Sequence, residues 1–157
     1  MSELVTVPND VFKTPGRQLD MTSANDIYLV KELRRRMSKV MRAYRALGIT
    51  ACQIGDAVDF FIVSDHKLPG TKKFNYFINA EVEGMGEMVD SEECCLSIPK
   101  KVFRIKRYPR VKVTAMMLNG KTRTRVFAGL AAACIQQEHD HTNGILLSDK
   151  GELIKSL

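Results

Sequence analysis

The chain has 157 residues, 45% hydrophobic and 27% charged, a balance that suits a soluble globular protein with one well-cored domain over residues 1–157. Its apolar runs fall far short of a membrane span, and Met1 to Pro8 has no basic segment leading an apolar one; membrane and secreted classes are excluded and a cytoplasmic location is expected. The net charge of +6 is unevenly spread: no Asp or Glu occurs between Glu93 and Glu138, while ten Lys and Arg lie from Lys100 to Arg125. That stretch predicts either a solvated basic sheet face or attraction to an acidic partner, of which RNA and the ribosome surface are candidates.

In chain order, Val5 to Asp10 and Lys13 to Gly16 read as an extended N-terminal arm, broken by turns and draped over the domain. Ser23-Ala24-Asn25-Asp26 resembles a capping box. After it Val30, Leu33, Met37, Val40, Met41 and Tyr44 recur at helical spacing, so a helix is expected to run to about Leu47 with this stripe in the core and Gly48 ending it. Gly48 to Gly55 is a run of small residues suited to a backbone that something approaches closely. Ala57 to Val63 is an apolar strand candidate, His66 to Gly70 a loop with His66 in solvent, and Phe74 to Val82 a second strand. Gly84-Met85-Gly86 is a turn, followed by an extended segment at Glu87 to Val89. Val102 to Arg107 and Val111 to Met117 alternate apolar and basic residues, and Asn119-Gly120 is a hairpin signal returning through Lys121 to Phe127. The layout predicts an α+β domain, two helices against antiparallel sheet.

Phe127 to Ile135 is rich in helix formers, and Asn143-Gly144 is a stop. Between them Cys134 to His141 holds two of the three histidines and two acids on the last turns of a helix. Gln137 and His141 lie one turn apart, with Glu138 beside them, while His139 points elsewhere. This is the spacing of the H-E-x-x-H zinc-hydrolase motif with Gln137 in its first position. An amphipathic helix with a polar C-terminal end, where His suits the negative dipole, is the alternative. Four cysteines, Cys52, Cys94, Cys95 and Cys134, two of them adjacent, make a poor disulfide framework; packing, metal ligation or catalysis is expected of them.

Three segments, Ala46-Leu-Gly-Ile-Thr-Ala-Cys-Gln53, Glu93-Cys-Cys-Leu-Ser97 and Gln136-Gln-Glu-His-Asp-His-Thr-Asn-Gly144, resemble in order and spacing the three motifs of peptide deformylases. The similarity extends through the helix before Gly48, Phe77 to Glu81, the hairpin and Gly129-Leu130. The resemblance implies antiparallel sheets packed around a central helix that carries the H-E-x-x-H-like motif, plus an N-terminal helix. It also implies a metal-dependent hydrolase that removes the formyl group from formyl-methionyl peptides of nascent proteins, with Fe2+, Zn2+ or Ni2+. Cys95 and His141 match metal ligands, and thiolate with imidazole suits those ions better than Ca2+ or Mg2+. Cys94, next along an extended segment, points away. Glu138 matches the general acid/base, and Gln53 with the backbone N–H of Leu96 match donors to the oxyanion. Leu47 and Gly48 match the edge that takes the peptide backbone, and Glu93, Ala133 and Cys134 match positions around the methionine pocket.

This sequence departs from the family pattern at Ala46, Thr50, Cys94 and Thr142, and most sharply at Gln137, which stands where the pattern has its first histidine ligand. An amide oxygen is a weak donor to a transition metal, so reduced metal occupancy and impaired turnover are expected. The opposed expectation is a deformylase fold that binds formyl-peptide or ribosome without turnover. The partners expected are N-formyl-methionyl peptides and, through Lys100 to Arg125, the ribosome surface, with the chain a monomer.

Overall fold

The computed structural model describes residues 3–64 and 73–157, so the loop expected at His66 to Gly70 lies outside the described residues. The first long element is α1 (Ala24–Tyr44). The strands β1 (Gly48–Thr50), β2 (Phe60–Ser64), β3 (Phe74–Met85), β6 (Arg110–Met116) and β7 (Thr122–Ala128) form one antiparallel sheet in the order β1-β2-β3-β6-β7. A second sheet has the order β4-β5-β8, from β4 (Val89–Cys95), β5 (Ile98–Arg107) and β8 (Glu152–Ser156). The motif helix α2 (Gly129–Thr142) and a short α3 (Leu147–Lys150) precede β8. The α+β class expected from the sequence holds, as do the central helix and antiparallel sheets.

The unbroken apolar run of β2 has a physical cause: both of its faces are covered. Phe60 and Ile62 pack with Val30, Leu33, Met37 and Met41 of α1, whereas Phe61 and Val63 pack with Ala132 and Ile135 of α2. Side chains alternate along a strand, so β2 stands between the two helices and fixes where α2 lies. Each such fully buried side chain contributes about 1.5–3 kcal/mol. A third cluster, Cys95, Ile98, Phe103, Ile105 and Leu147, cores the smaller sheet.

The helix expected to reach Leu47 stops at Tyr44. Arg45 takes the left-handed conformation at φ 51°, and Ala46 N–H donates back to Met41 O at 2.9 Å. This closes the last carbonyls and frees Gly48 to begin β1 rather than end the helix. Tyr44 accordingly leaves the core and is 43% exposed. Ser23 is the N-cap, but no capping box forms, because the Asp26 carboxylate is taken by Arg17 at 2.9 and 3.0 Å and by Asp20 N–H at 2.8 Å. The turn expected at Gly84 falls later. Gly84 stays inside β3 because the Tyr108 ring packs where a Cβ would be, and Gly86 makes the bend with φ 86°. The N-terminal arm does drape: Val5 N–H donates to Gln53 O and Val7 N–H to Ser97 O, at 2.7 and 2.9 Å.

Asp59 is a buried acid outside the site. It accepts from Gln18 Nε2 at 2.6 Å through Oδ2, its Oδ1 has no close hydrogen-bond partner among the described residues, and burial pushes its carboxyl up to about 6. The folded state therefore holds this proton to higher pH than the unfolded chain, and stability falls as pH rises from the unfolded carboxylate value through about 6. Asp59→Asn should raise stability at neutral pH by about 1 kcal/mol, or about 2–4 °C in Tm, with the gain vanishing near about pH 4. Thermal melts across pH check this; a gain independent of pH would rule out the charge as its cause.

Candidate active site

Helix α2 has little solvent-facing surface, and burying it forces its polar residues to find partners. Gln136, Glu138, His141 and Thr142 are all buried. Gln136 bonds the backbone of Tyr108 in both directions at 2.9 Å, which ties the helix to the chain beyond β5. Glu138 reaches β1: its Oε2 accepts from Thr50 Oγ1 at 2.7 Å. A Cβ on Gly48 would stand 2.9 Å from Glu138 Oε1, so the strand comes close only because residue 48 lacks a side chain.

Gln53 is set by the turn after β1. Thr50 N–H donates to Gln53 Oε1 at 2.9 Å, which aims Nε2 at Ser97 Oγ, 3.1 Å away, and at Cys95 Sγ, 3.7 Å away. Cys95 ends β4 with its side chain inward, and Cys94 faces out, as strand alternation requires. Cys95 Sγ and His141 Nε2 are 3.7 Å apart. His141 is 2% exposed, and its Nδ1 has no hydrogen-bond partner among the described residues.

These groups meet at one cleft of about 350 Å³. Leu47, Gly48, Gln53, Glu93, Cys95, Leu96, Ala133, Cys134, Gln137 and Glu138 all line it, joined by Tyr44, Arg45, Ser91 and Leu130, which the sequence did not flag. Among the predicted residues His141 alone lies behind the wall rather than on it, in contact with Cys95. His139 lines a separate pocket with Tyr108 and Lys150, as its position two residues from His141 demands. A further cleft of about 310 Å³ beside β3, β6 and β7 has no His, Cys, Asp or Glu among its described lining residues and offers no comparable chemistry.

The electrostatics follow from burial. It pushes Glu138 up to about 8, against the Thr50 hydrogen bond, which favours the charged form. It pushes the Cys95 thiol up to about 12, with the Glu138 charge adding, and the His141 imidazole down to about 4. A neutral imidazole and a thiol that needs a positive neighbour to ionise are a fitting donor pair for a divalent cation. Two donors on one zinc-like ion, at about 2.3 Å for sulfur and about 2.0–2.1 Å for nitrogen, lie at most about 4.4 Å apart. The observed separation of 3.7 Å meets that bound. No third His, Cys, Asp or Glu joins them among the described residues. Gln137 is engaged elsewhere: its Nε2 donates to Glu93 Oε1 at 3.1 Å and to Cys94 O at 3.4 Å.

Glu93 is in turn held by Arg107, which also grips Asp140 at 2.7 Å. Sequence reasoning missed Arg107, although its register was a signal, since it continues the inward positions Phe103 and Ile105 of β5. The side chains of Arg107 and Glu93 are only 5% and 8% exposed. Arg107→Met should therefore lower the unfolding free energy by about 3–5 kcal/mol, because two carboxylates lose their counter-charge in a buried site. Urea denaturation measures this, and a loss below about 1 kcal/mol would mean that the pair is solvated like a surface bridge.

The Polypeptide deformylase family model matches residues 1–156. The peptide deformylase of Desulfosudis oleivorans is 31% identical over 156 residues, covering 98% of this chain and 87% of that protein. That of Dictyoglomus thermophilum is 31% identical over 149 residues, 94% of this chain and 91% of the relative. Among solved structures, the Thermotoga maritima peptide deformylase superposes with a TM-score of 0.84 at 28% identity, covering 96% of this chain and 97% of the other. The Acinetobacter baumannii class I type b enzyme with Met-Ala-Ser bound gives 0.83 at 28% identity, covering 94% and 96%. The matched region takes in all three motif segments and the cleft that they build. This chain belongs to the peptide deformylase family.

Proposed function

We propose that the chain hydrolyses the formyl amide of N-formyl-methionyl peptides, giving formate and a free amino terminus, at a rate held down by Gln137. The observation that carries this reading is the convergence of Glu138, Gln53 and Cys95 on one cleft, with His141 behind its wall against Cys95. The Acinetobacter baumannii relative was solved with Met-Ala-Ser, and a peptide with an N-terminal methionine is what deformylation leaves.

Cys95 and His141 hold the divalent cation, Fe2+, Zn2+ or Ni2+, which when bound supplies Lewis acidity and the charge that keeps Cys95 a thiolate. Glu138, buried and raised to about 8, takes a proton from the attacking water and returns it to the departing amine nitrogen as the C–N bond breaks. Gln53 Nε2 and the Leu96 N–H donate to the oxygen that gains charge. Leu47 and Gly48, on the free edge of β1, take the peptide backbone, and Glu93, Ala133 and Cys134 border the methionine side chain.

A second reading, a peptide binder without turnover, is favoured by one observation: the amide nitrogen of Gln137 is occupied by Glu93 and Cys94 O. A ribosomal partner for Lys100 to Arg125 rests on charge alone. Arg104, Lys106 and Arg107 in that stretch already pair with Glu92, Asp90 and Glu93, and the other cations divide between two sheets. No helix among the described residues is long and apolar enough to cross a membrane.

Formate release from formyl-Met-Ala-Ser with added Ni2+ tests the reading. Gln137→His should raise turnover and metal affinity by more than about tenfold, since it restores a direct ligand. Glu138→Gln in that background should cost about 10²- to 10⁴-fold. Equal turnover with glutamine and histidine at position 137 would show that this residue does not limit the rate. Metal and peptide binding with no formate from either chain would favour the binder.

A further inference from the structure

We infer that Thr50 is a positioning residue for the Glu138 carboxyl group and the Gln53 amide together; its kinetic consequence rests on the deformylase reading above, its structural one does not. Thr50 is the last residue of β1 and has no exposed surface. Its Oγ1 stands 2.7 Å from Glu138 Oε2 and 3.0 Å from Glu138 O. Among the described residues no other side chain bonds that carboxyl group. On the Oε1 side a Cβ at residue 48 would stand only 2.9 Å away, so Gly48 is what lets the strand come this close. The carboxyl group thus lies against two residues of one short strand. Removing the hydroxyl takes away the side-chain hydrogen bond that holds it there.

The same residue reaches the second catalytic group through its backbone. Thr50 N–H bonds Gln53 Oε1 at 2.9 Å, and this orientation directs Gln53 Nε2 to Cys95 Sγ and Ser97 Oγ. One strand residue therefore sets the spacing between the group that moves protons and the group that meets the oxyanion. A hydroxyl can donate and accept, so the contact with Glu138 survives a proton arriving on or leaving the carboxyl group. Thr50 is one of the positions at which this sequence departs from the family pattern, and Gln137, another of them, is the residue before Glu138.

The test compares Thr50→Val, which keeps the volume and loses the hydroxyl, with Thr50→Ser, which keeps the hydroxyl. Both are made in the chain itself and in the Gln137→His background, loaded with Ni2+. Thr50→Val should lower kcat for formate release by about tenfold or more, with KM within about twofold, and Thr50→Ser should stay within about twofold of its parent. Ni2+ bound per chain should be the same in each Thr50 variant as in its own parent. In a crystal structure of Thr50→Val the Glu138 carboxyl group should leave its place against Gly48. Where Val does not fold, Thr50→Ala takes its place. A folded Val or Ala variant with unchanged kcat overturns the assignment, as does a Ser variant as slow as Val, or Glu138 found in its original place. If no parent releases formate, the deformylase reading fails, and the position of Glu138 in the variant structure still decides the role of Thr50.

Discussion

A guanidinium keeps its charge at any pH a protein meets, so burying one obliges the fold to surround it with oxygen. Arg107 is in that position. It forks onto Glu93 with contacts of 2.9 and 3.0 Å and reaches Asp140 at 2.7 Å. Those three residues come from β5, β4 and α2, so one cation joins the smaller sheet to the motif helix. The far wall of the cleft is fixed by the same contact, because Glu93 and Cys95 belong to one strand. The Gln137 amide on Glu93 and Cys94 O, and His141 against Cys95, add further contacts between β4 and α2.

The near wall is fixed by packing rather than charge. β2 is apolar on both faces because α1 covers one and α2 the other, and β1 pairs with it in register from Gly48 with Val63 to Thr50 with Phe61. That register brings Gly48 and Thr50 against Glu138, and the turn that follows swings Gln53 across to Cys95. Short side chains, Gly48 and Thr50, let the strand and the helix approach this closely. Burial then does the electrostatic work: the same exclusion of water that raises the Glu138 carboxyl leaves His141 neutral.

Gln137 shows what one substitution does to such a site. The residue still faces β4, but its amide nitrogen finds oxygen acceptors in Glu93 and Cys94, and it becomes a link between helix and strand.

How much of this was legible varies by residue. The three motif segments and the alternation that turns Cys95 inward and Cys94 outward could be read locally, and so could the helical spacing of Glu138 and His141. These depend on periodicities of one element, which a sequence carries by itself. The end of α1 could not be placed, because it is set by Arg45 taking a left-handed conformation, which helix propensity does not signal. β8 and the split into two sheets also escaped, since strand pairing joins residues far apart in the chain. By itself, then, the sequence determined the family, the helix that bears the chemistry and the residues that it presents. Only the tertiary structure decided what each of them touches: Thr50 on Glu138, Arg107 between two acids, Gln137 on Glu93. A buried polar group is defined by its partner, and the partner comes from another element brought close by burial.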